Sequence, residues 1–305
     1  MQRYNDLSTY IKNTFGEKIL KVSIDAGFTC PNRLNGKGGC IFCGDEGAGE
    51  FAGSRRLSIT EQIDSQINFL KHKSESDKYI AYFQSFTNTF APVEVLREKY
   101  YEALSHPNIV GISIATRPDC IDEDIRNLLA EISNQYETWV ELGFQTSNEE
   151  SAKIINRGYE NSVFKEQVLL LHNRGIKTIA HIIFGLPFEK HRDYMNTVKY
   201  INGLPIWGVK FHSLYIYGDS PLYDYYLNTR FKIIEMDEYI DAVCDAIHLL
   251  RKDIIIHRIT GDPDKNKLFK PLWPRDKIKV IGNINKELKK RNIFQGSALG
   301  GSHGL

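Results

Sequence analysis

Three cysteines, Cys30, Cys40 and Cys43, follow a C-x9-C-x2-C spacing, with no fourth cysteine and no histidine close by; the next histidine is His72. Three thiolates fill three corners of a metal site and leave one open, and an open corner is where a small molecule binds and reacts. A structural zinc site needs four closed ligands, commonly as two close pairs. Only one close pair is present, so a zinc knuckle would have to recruit a distant ligand such as Cys120. The triplet therefore favours an iron–sulfur cluster over zinc. Five cysteines in all do not read as a disulfide framework, and a reducing, cytoplasmic setting is expected.

Positioning such a triplet needs a scaffold, and short apolar runs alternate with helical patterns along the chain. Strands are expected at 19–25, 79–84, 110–115, 138–144, 178–184 and 208–217. Helices are expected at 60–73, 93–104, 122–133, 162–174 and 191–201, with a further one at 236–251. Ile63, Ile67 and Leu70 recur at helical spacing, as do Ile125, Leu128, Leu129 and Ile132. Six β/α units in series imply an α/β fold with a parallel sheet and right-handed crossovers. Sites in such sheets sit at the C-terminal edge of the strands, and the polar and glycine-rich motifs fall just there.

The 305 residues, 42% of them hydrophobic, are ample for a packed core. The first sixteen residues are polar, so no signal peptide is expected, and no run is apolar and long enough to suggest a membrane partner. Net charge is only +1, yet residues 251–291 carry 13 Lys and Arg against 5 Asp and Glu. That asymmetry suggests an anionic partner; a solvated, lysine-rich helix explains it equally well. The Gly/Ser-rich end, 296–305, reads as a mobile terminus.

The cysteine segment reads TCPNRLNGKGGCIFCG, with Phe42 before the third cysteine. It resembles the radical S-adenosylmethionine (SAM) enzymes, in the spacing of the Elongator catalytic subunit branch. The resemblance implies that Cys30, Cys40 and Cys43 hold a [4Fe–4S] cluster whose fourth iron binds SAM, with Phe42 beside it. Further motifs follow in matching order. Gln84, Ser85 and Thr87 stand after the second strand, where the family has a glycine-rich segment. Thr116-Arg117-Pro118-Asp119 follows the third, with Ala115 where the family often has glutamate. Glu141-Leu142-Gly143-Phe144-Gln145-Thr146-Ser147 and Asn156-Arg157-Gly158 follow the fourth, and Gly185-Leu186-Pro187 closes the fifth. The resemblance carries SAM-binding positions onto Phe42, Gln84, Ser85, Thr87, Arg117, Gln145, Arg157 and His181.

The whole arrangement is most similar to the bacterial YhcC/YtqA-type radical SAM family. It implies a partial (β/α)6 TIM-like barrel, open on one side, formed by residues 1–235, with a basic C-terminal extension, 236–305, packed on it. It also implies an electron donor as partner. For at least one branch it implies tRNA wobble-uridine maturation, from 5-carboxymethylaminomethyl to 5-aminomethyl. RNA contacts are then expected from the 251–291 segment, at Arg258, Lys265, Lys267, Lys270, Arg275, Lys289 and Lys290. Lys210, His212 and Tyr215 are the candidate catalytic residues, from their position on the sixth strand.

Blander readings stand beside these. TRPD also makes a strand-to-helix turn, with Asp122 as a helix cap. Glu141 also reads as a strand residue paired with a basic neighbour, and His181 as a satisfied core histidine. The run Tyr215, Tyr217, Tyr223, Tyr225 and Tyr226 fits packing or base stacking. A small-molecule substrate and a non-catalytic zinc and RNA-binding protein are the alternative functions.

Overall fold

The computed structural model describes residues 2–34, 36, 38–44, 47, 52–72 and 76–300. Lys73, the end of one expected helix, and 301–305 of the Gly/Ser-rich end lie outside the described residues.

In chain order the elements are α1 (Leu7–Phe15), β1 (Leu20–Ile24), α2 (Ile59–Lys71), β2 (Tyr79–Phe83), α3 (Val93–Leu104), β3 (Ile109–Thr116), α4 (Glu123–Ser133) and β4 (Glu137–Gln145). Then come α5 (Glu149–Ile154), α6 (Asn161–His172), β5 (Lys177–Phe184), α7 (His191–Asn202), β6 (Gly208–Ser213), β7 (Ile216–Tyr217) and α8 (Pro221–Thr229). The chain closes with α9 (Met236–Leu249), β8 (Ile255–Arg258), β9 (Leu268–Lys270) and α10 (Lys277–Lys290). Local signals set the helix starts: Ser58 and Glu61 form a capping box on α2, and Asp122 caps α4 by accepting from the Ile125 amide.

Seven strands form one parallel sheet in the order β1-β2-β3-β4-β5-β6-β8. The Lys21 ammonium on β1 reaches the Glu141 carboxylate on β4, three strands away, at 2.6 Å. Only a strongly curled sheet allows that, and the result is the expected partial barrel. The seventh strand is the addition. β8 comes from the segment expected to be an extension and continues the sheet beyond β6. The expected strand at 208–217 also divides: β6 ends at Ser213, and β7 pairs antiparallel with β9 in a small separate sheet.

Strand alternation sorts the side chains into two sets. Val140, Leu142 and Phe144 on β4, Ala180, Ile182 and Phe184 on β5, and Val209 and Phe211 on β6 belong to the main buried cluster with the helices. Each large apolar side chain fully buried there contributes about 1.5–3 kcal/mol. The inward set begins at the base with an aromatic plug: Trp139 stacks on Trp207 at 5.5 Å, and Tyr10 and His257 meet Trp207 edge-on at 5.0 Å each. Among the described residues no helix is long and apolar enough to cross a membrane.

Candidate active site

Above the plug the inward positions become polar and open into a well of about 260 Å³. On β4 the series is Trp139, Glu141, Gly143: a plug residue, a floor residue, then a glycine that leaves space. A Cβ at Gly143 would lie 2.6 Å from Gln145 Nε2, so Gly143 lets the Gln145 side chain fold back over it. Tyr82, Gln84, Ala115, His181, Ile183, Lys210, His212 and Arg258 line the same well from the other strands. A register shift between Val209 and Lys210 brings Arg258 opposite Lys210.

All three cysteines of the triplet line this well and are free thiols. Their loop is braced against the segment after α5. Asn32 Nδ2 donates to the Asn156 carbonyl at 2.6 Å and to Cys40 Sγ at 3.5 Å. Asn156 Nδ2 donates back to the Gly39 carbonyl at 2.7 Å, and the Ile41 amide donates to the Ile155 carbonyl. Arg33 donates to the Gly44 carbonyl and lies over the Phe86 ring, 5.2 Å from its centre. The Cys43 thiol donates to Cys40, and with Arg117, Asn32 and Arg33 nearby this draws the Cys40 thiol down to about 7 against the effect of burial. Cys43, as the donor and buried, is pushed up.

The thiols fit the expected cluster. Among the described residues no group of three or more His, Cys, Asp or Glu closes on a single metal ion. Cys120 opens on a separate cavity beside Pro31 and Asp119. Three thiols that share a well without converging on one ion suit a cluster several ångströms across better than a lone zinc. The well also offers buried polar atoms with no partner, Gln145 Oε1, His212 Nε2 and Ser213 Oγ, as a site built for a polar ligand requires.

Of the positions expected to bind SAM, Phe42, Gln84, Thr87, Arg117, Gln145, Arg157 and His181 line the well. Ser85 does not: it is buried beside the turn after β2, where its carbonyl accepts from Asn88 Nδ2. Gln145 has a left-handed backbone, φ 63°, which costs a non-glycine residue of order 1–3 kcal/mol and is characteristic of functional positions. Arg157 is committed elsewhere. Its Nε–H and one Nη2–H donate to the Tyr159 carbonyl, Nη1 to the carbonyls of Phe144 and Thr146, and Nη2 to Glu149. A guanidinium has five N–H groups, and these contacts use all of them, so Arg157 clamps the turn after β4 where a ligand contact was expected. Arg117 pairs with Asp119 through two parallel hydrogen bonds and donates to the Arg157 carbonyl.

The floor is a charged network that sequence reasoning missed as a group. Glu141, with a side chain fully buried, accepts from Lys21 (2.6 Å), Ser113 Oγ (2.6 Å), His181 Nε2–H (2.6 Å) and Lys210. Burial alone would raise its pKa, but Lys21, Lys210 and His181 hold the carboxyl well below its ordinary value. Burial pushes Lys210 well down, and it lowers His181 to about 4, so the imidazole is neutral and donates. His212 is likewise lowered by burial, then by His181 and Arg258. Lys210, His212 and Tyr215 all line the well. The bland readings of Glu141 and His181 describe the contacts they make, within the wall of the site. The period-two recurrence of Lys21, Glu141, His181 and Lys210 inside apolar runs was the available signal.

The basic 251–291 segment does not act as one patch. Arg251 pairs with Asp253 and donates to the carbonyls of Asn202 and Leu204, Lys277 pairs with Asp262, and Arg291 with Asp245. Of the expected RNA contacts, Arg258 is inside the well, Lys267 lies 4.0 Å from Asp219 and Lys290 pairs with Glu287. Lys265, Lys270, Arg275 and Lys289 are exposed.

The chain matches the radical SAM superfamily over residues 27–201 and the radical SAM C-terminal domain over residues 206–290. YtqA of Bacillus subtilis is 42% identical over 297 residues, covering 97% of this chain and 92% of YtqA. YhcC of Escherichia coli K12 is 35% identical over 289 residues, 94% of this chain and 92% of YhcC. Among solved structures, archaeal Elp3 of Methanocaldococcus infernus superposes with a TM-score of 0.66 at 19% identity over 79% of this chain and 61% of Elp3, a likeness of fold. The curled parallel sheet, the three free thiols at its rim and these two matches in tandem have one explanation: the chain belongs to the radical SAM superfamily, whose members use a [4Fe–4S] cluster and S-adenosylmethionine.

Proposed function

We propose that this radical SAM enzyme acts on tRNA, converting a 5-carboxymethylaminomethyl wobble uridine to 5-aminomethyl. The carrying observation is a well that sets three thiols at its rim above a floor of excess positive charge. Lys21 and Lys210 donate there to the single carboxylate of Glu141, and Arg258 lines the same well. Such a floor suits a substrate that brings an anionic group into the interior. The resemblance of the TRPD and NRG segments to the Elongator branch supports the RNA reading.

When bound, the cluster and SAM would supply a 5′-deoxyadenosyl radical that takes one hydrogen from the substrate CH2; loss of one electron and hydrolysis of the resulting imine would then break the C–N bond, releasing glyoxylate and the 5-aminomethyl group, with SAM consumed as methionine and 5′-deoxyadenosine. The chain's own residues do the rest. Cys30, Cys40 and Cys43 ligate. Asn32 and Asn156 hold the cysteine loop in place. Gln145 offers a buried acceptor, and the plug keeps water from the base. At the mouth, Tyr215 and Tyr217 line the wall. Lys270 lies over the Phe269 and Tyr226 rings, 5.6 and 5.8 Å from their centres, giving cations and aromatic faces to RNA.

The test is anaerobic purification, iron and sulfide analysis, then dithionite, SAM and tRNA bearing the modified uridine. About four irons per chain, 5′-deoxyadenosine and the 5-aminomethyl nucleoside are expected. Cleavage of SAM with the nucleoside unchanged, and a porphyrinogen-like small molecule consumed, would move the assignment to a small substrate.

A further inference from the structure

We propose that Arg258, with His212 and Ser213, forms the subsite for the carboxylate of the substrate. The inference rests on the wobble-uridine reading for the identity of that carboxylate, and on the structure for the site.

Arg258 is half-buried and lines the well. Among the described residues it has no hydrogen-bond or ion-pair partner, whereas Arg117 and Arg157 in the same wall are paired. The one buried carboxylate within the well, Glu141, is already taken by Lys21, Lys210, Ser113 and His181. Asp262, at the rim, is paired with Lys277. The guanidinium therefore leaves the floor with uncompensated positive charge, and its planar fork matches a carboxylate. Two neighbours on β6 point the same way. Ser213 is 2% exposed and lines the well with its hydroxyl unpartnered; His212 Nε2 is buried and unpartnered. Buried polar atoms without partners are rare, and these two in the wall that carries the unpaired Arg258 mark a place for a polar ligand.

The register shift beside Lys210 is what aims Arg258 inward. A group held there lies deep in the well, where a uridine side chain reaches more readily than a backbone phosphate. Holding the carboxylate also fixes the adjacent CH2. Its C–H bonds are weakened, because nitrogen and carboxylate both stabilise the radical they leave. Arg258 is thus a substrate-binding residue that selects which hydrogen is presented.

The experiment uses the full chain with its cluster. It compares two anticodon stem-loop RNAs that differ only in carrying 5-carboxymethylaminomethyl or 5-aminomethyl uridine. Wild type should prefer the first by about tenfold or more, the scale of a charge-assisted hydrogen-bonded pair. Arg258→Gln should erase the preference while leaving affinity for the second RNA, affinity for SAM and iron content within about twofold of wild type. Arg258→Lys should keep part of the preference. Preference intact in Arg258→Gln overturns the proposal. Equal loss for both RNAs overturns it in favour of a phosphate contact, and loss of SAM binding overturns it in favour of a cofactor contact. If wild type binds neither RNA, the wobble-uridine reading fails on its own. Calorimetry with N-methylglycine against methylamine then decides the subsite: Arg258-dependent binding of the first alone sustains it, and no binding removes it.

Discussion

Replacing Glu141 by Gln removes one negative charge from the floor and changes almost nothing in shape. The magnitude follows from the contacts. Lys21 Nζ lies 2.6 Å from one carboxylate oxygen, and Lys210 is closer still to the other. At an effective dielectric constant of about 20, unit charges at that separation attract by about 6 kcal/mol. Much of that offsets the desolvation of three ions, because side-chain exposure is 0% for Glu141 and 5% for Lys210. Removing one partner of such a group leaves buried cations uncompensated and costs about 3–5 kcal/mol. For 305 residues, a change of that size lowers the melting temperature by about 5–8 °C.

The pH dependence carries a sign. Without the carboxylate, the buried lysines fall further below their unfolded values. Above neutrality the unfolded chain then binds more protons than the folded one, so the variant gains stability as pH rises toward 10. The assay is anaerobic calorimetric melting of wild type, Glu141→Gln and Glu141→Gln/Lys210→Met at about pH 6.5 and 9.5. The double variant should recover most of the loss, and the deficit of the single variant should shrink at the higher pH. A single variant within about 1 kcal/mol of wild type at both pH values would refute the reasoning, as would a double variant that loses the sum of both changes.

Alanine at Cys30, Cys40 or Cys43 should abolish iron retention, whereas Cys120→Ala and Cys244→Ala should keep it, as measured by iron per chain after anaerobic reconstitution. Gly158→Ala should weaken the cysteine loop from a distance. Gly158 has φ 83°, and a Cβ there would lie 2.8 Å from Asn32 Oδ1, displacing the side chain that donates to Cys40. A stability loss of about 1–3 kcal/mol with reduced iron is expected, and unchanged iron would show that Asn32 is dispensable. Glu189, raised to about 7 mainly by burial, holds its proton longer folded than unfolded. The contribution of Glu189 to stability should therefore fall as pH rises from about 4.3 to 7, so the advantage of wild type over Glu189→Gln in urea titrations should decline across that range.

The grouping of the cysteine triplet was legible because its thiols sit on one local loop, where spacing in sequence is spacing in space. The first five strands were legible because parallel strands covered by helices are apolar runs. β8 was not: Ile255 and Ile256 lead into His257 and Arg258 within a basic segment, and composition there spoke for the surface. The floor was illegible for a different reason. Lys21, Glu141 and Lys210 each look like an isolated charge in a strand, and only the curl of the sheet brings residues 120 and 69 positions apart into contact. The clamp made by Arg157 was not legible, because it depends on carbonyls that the fold turns toward it.

The aromatic plug beneath the floor has a kinetic meaning. With the base packed by Tyr10, Trp139, Trp207 and His257, molecules enter and leave the well by its upper end or by the open side of the partial barrel.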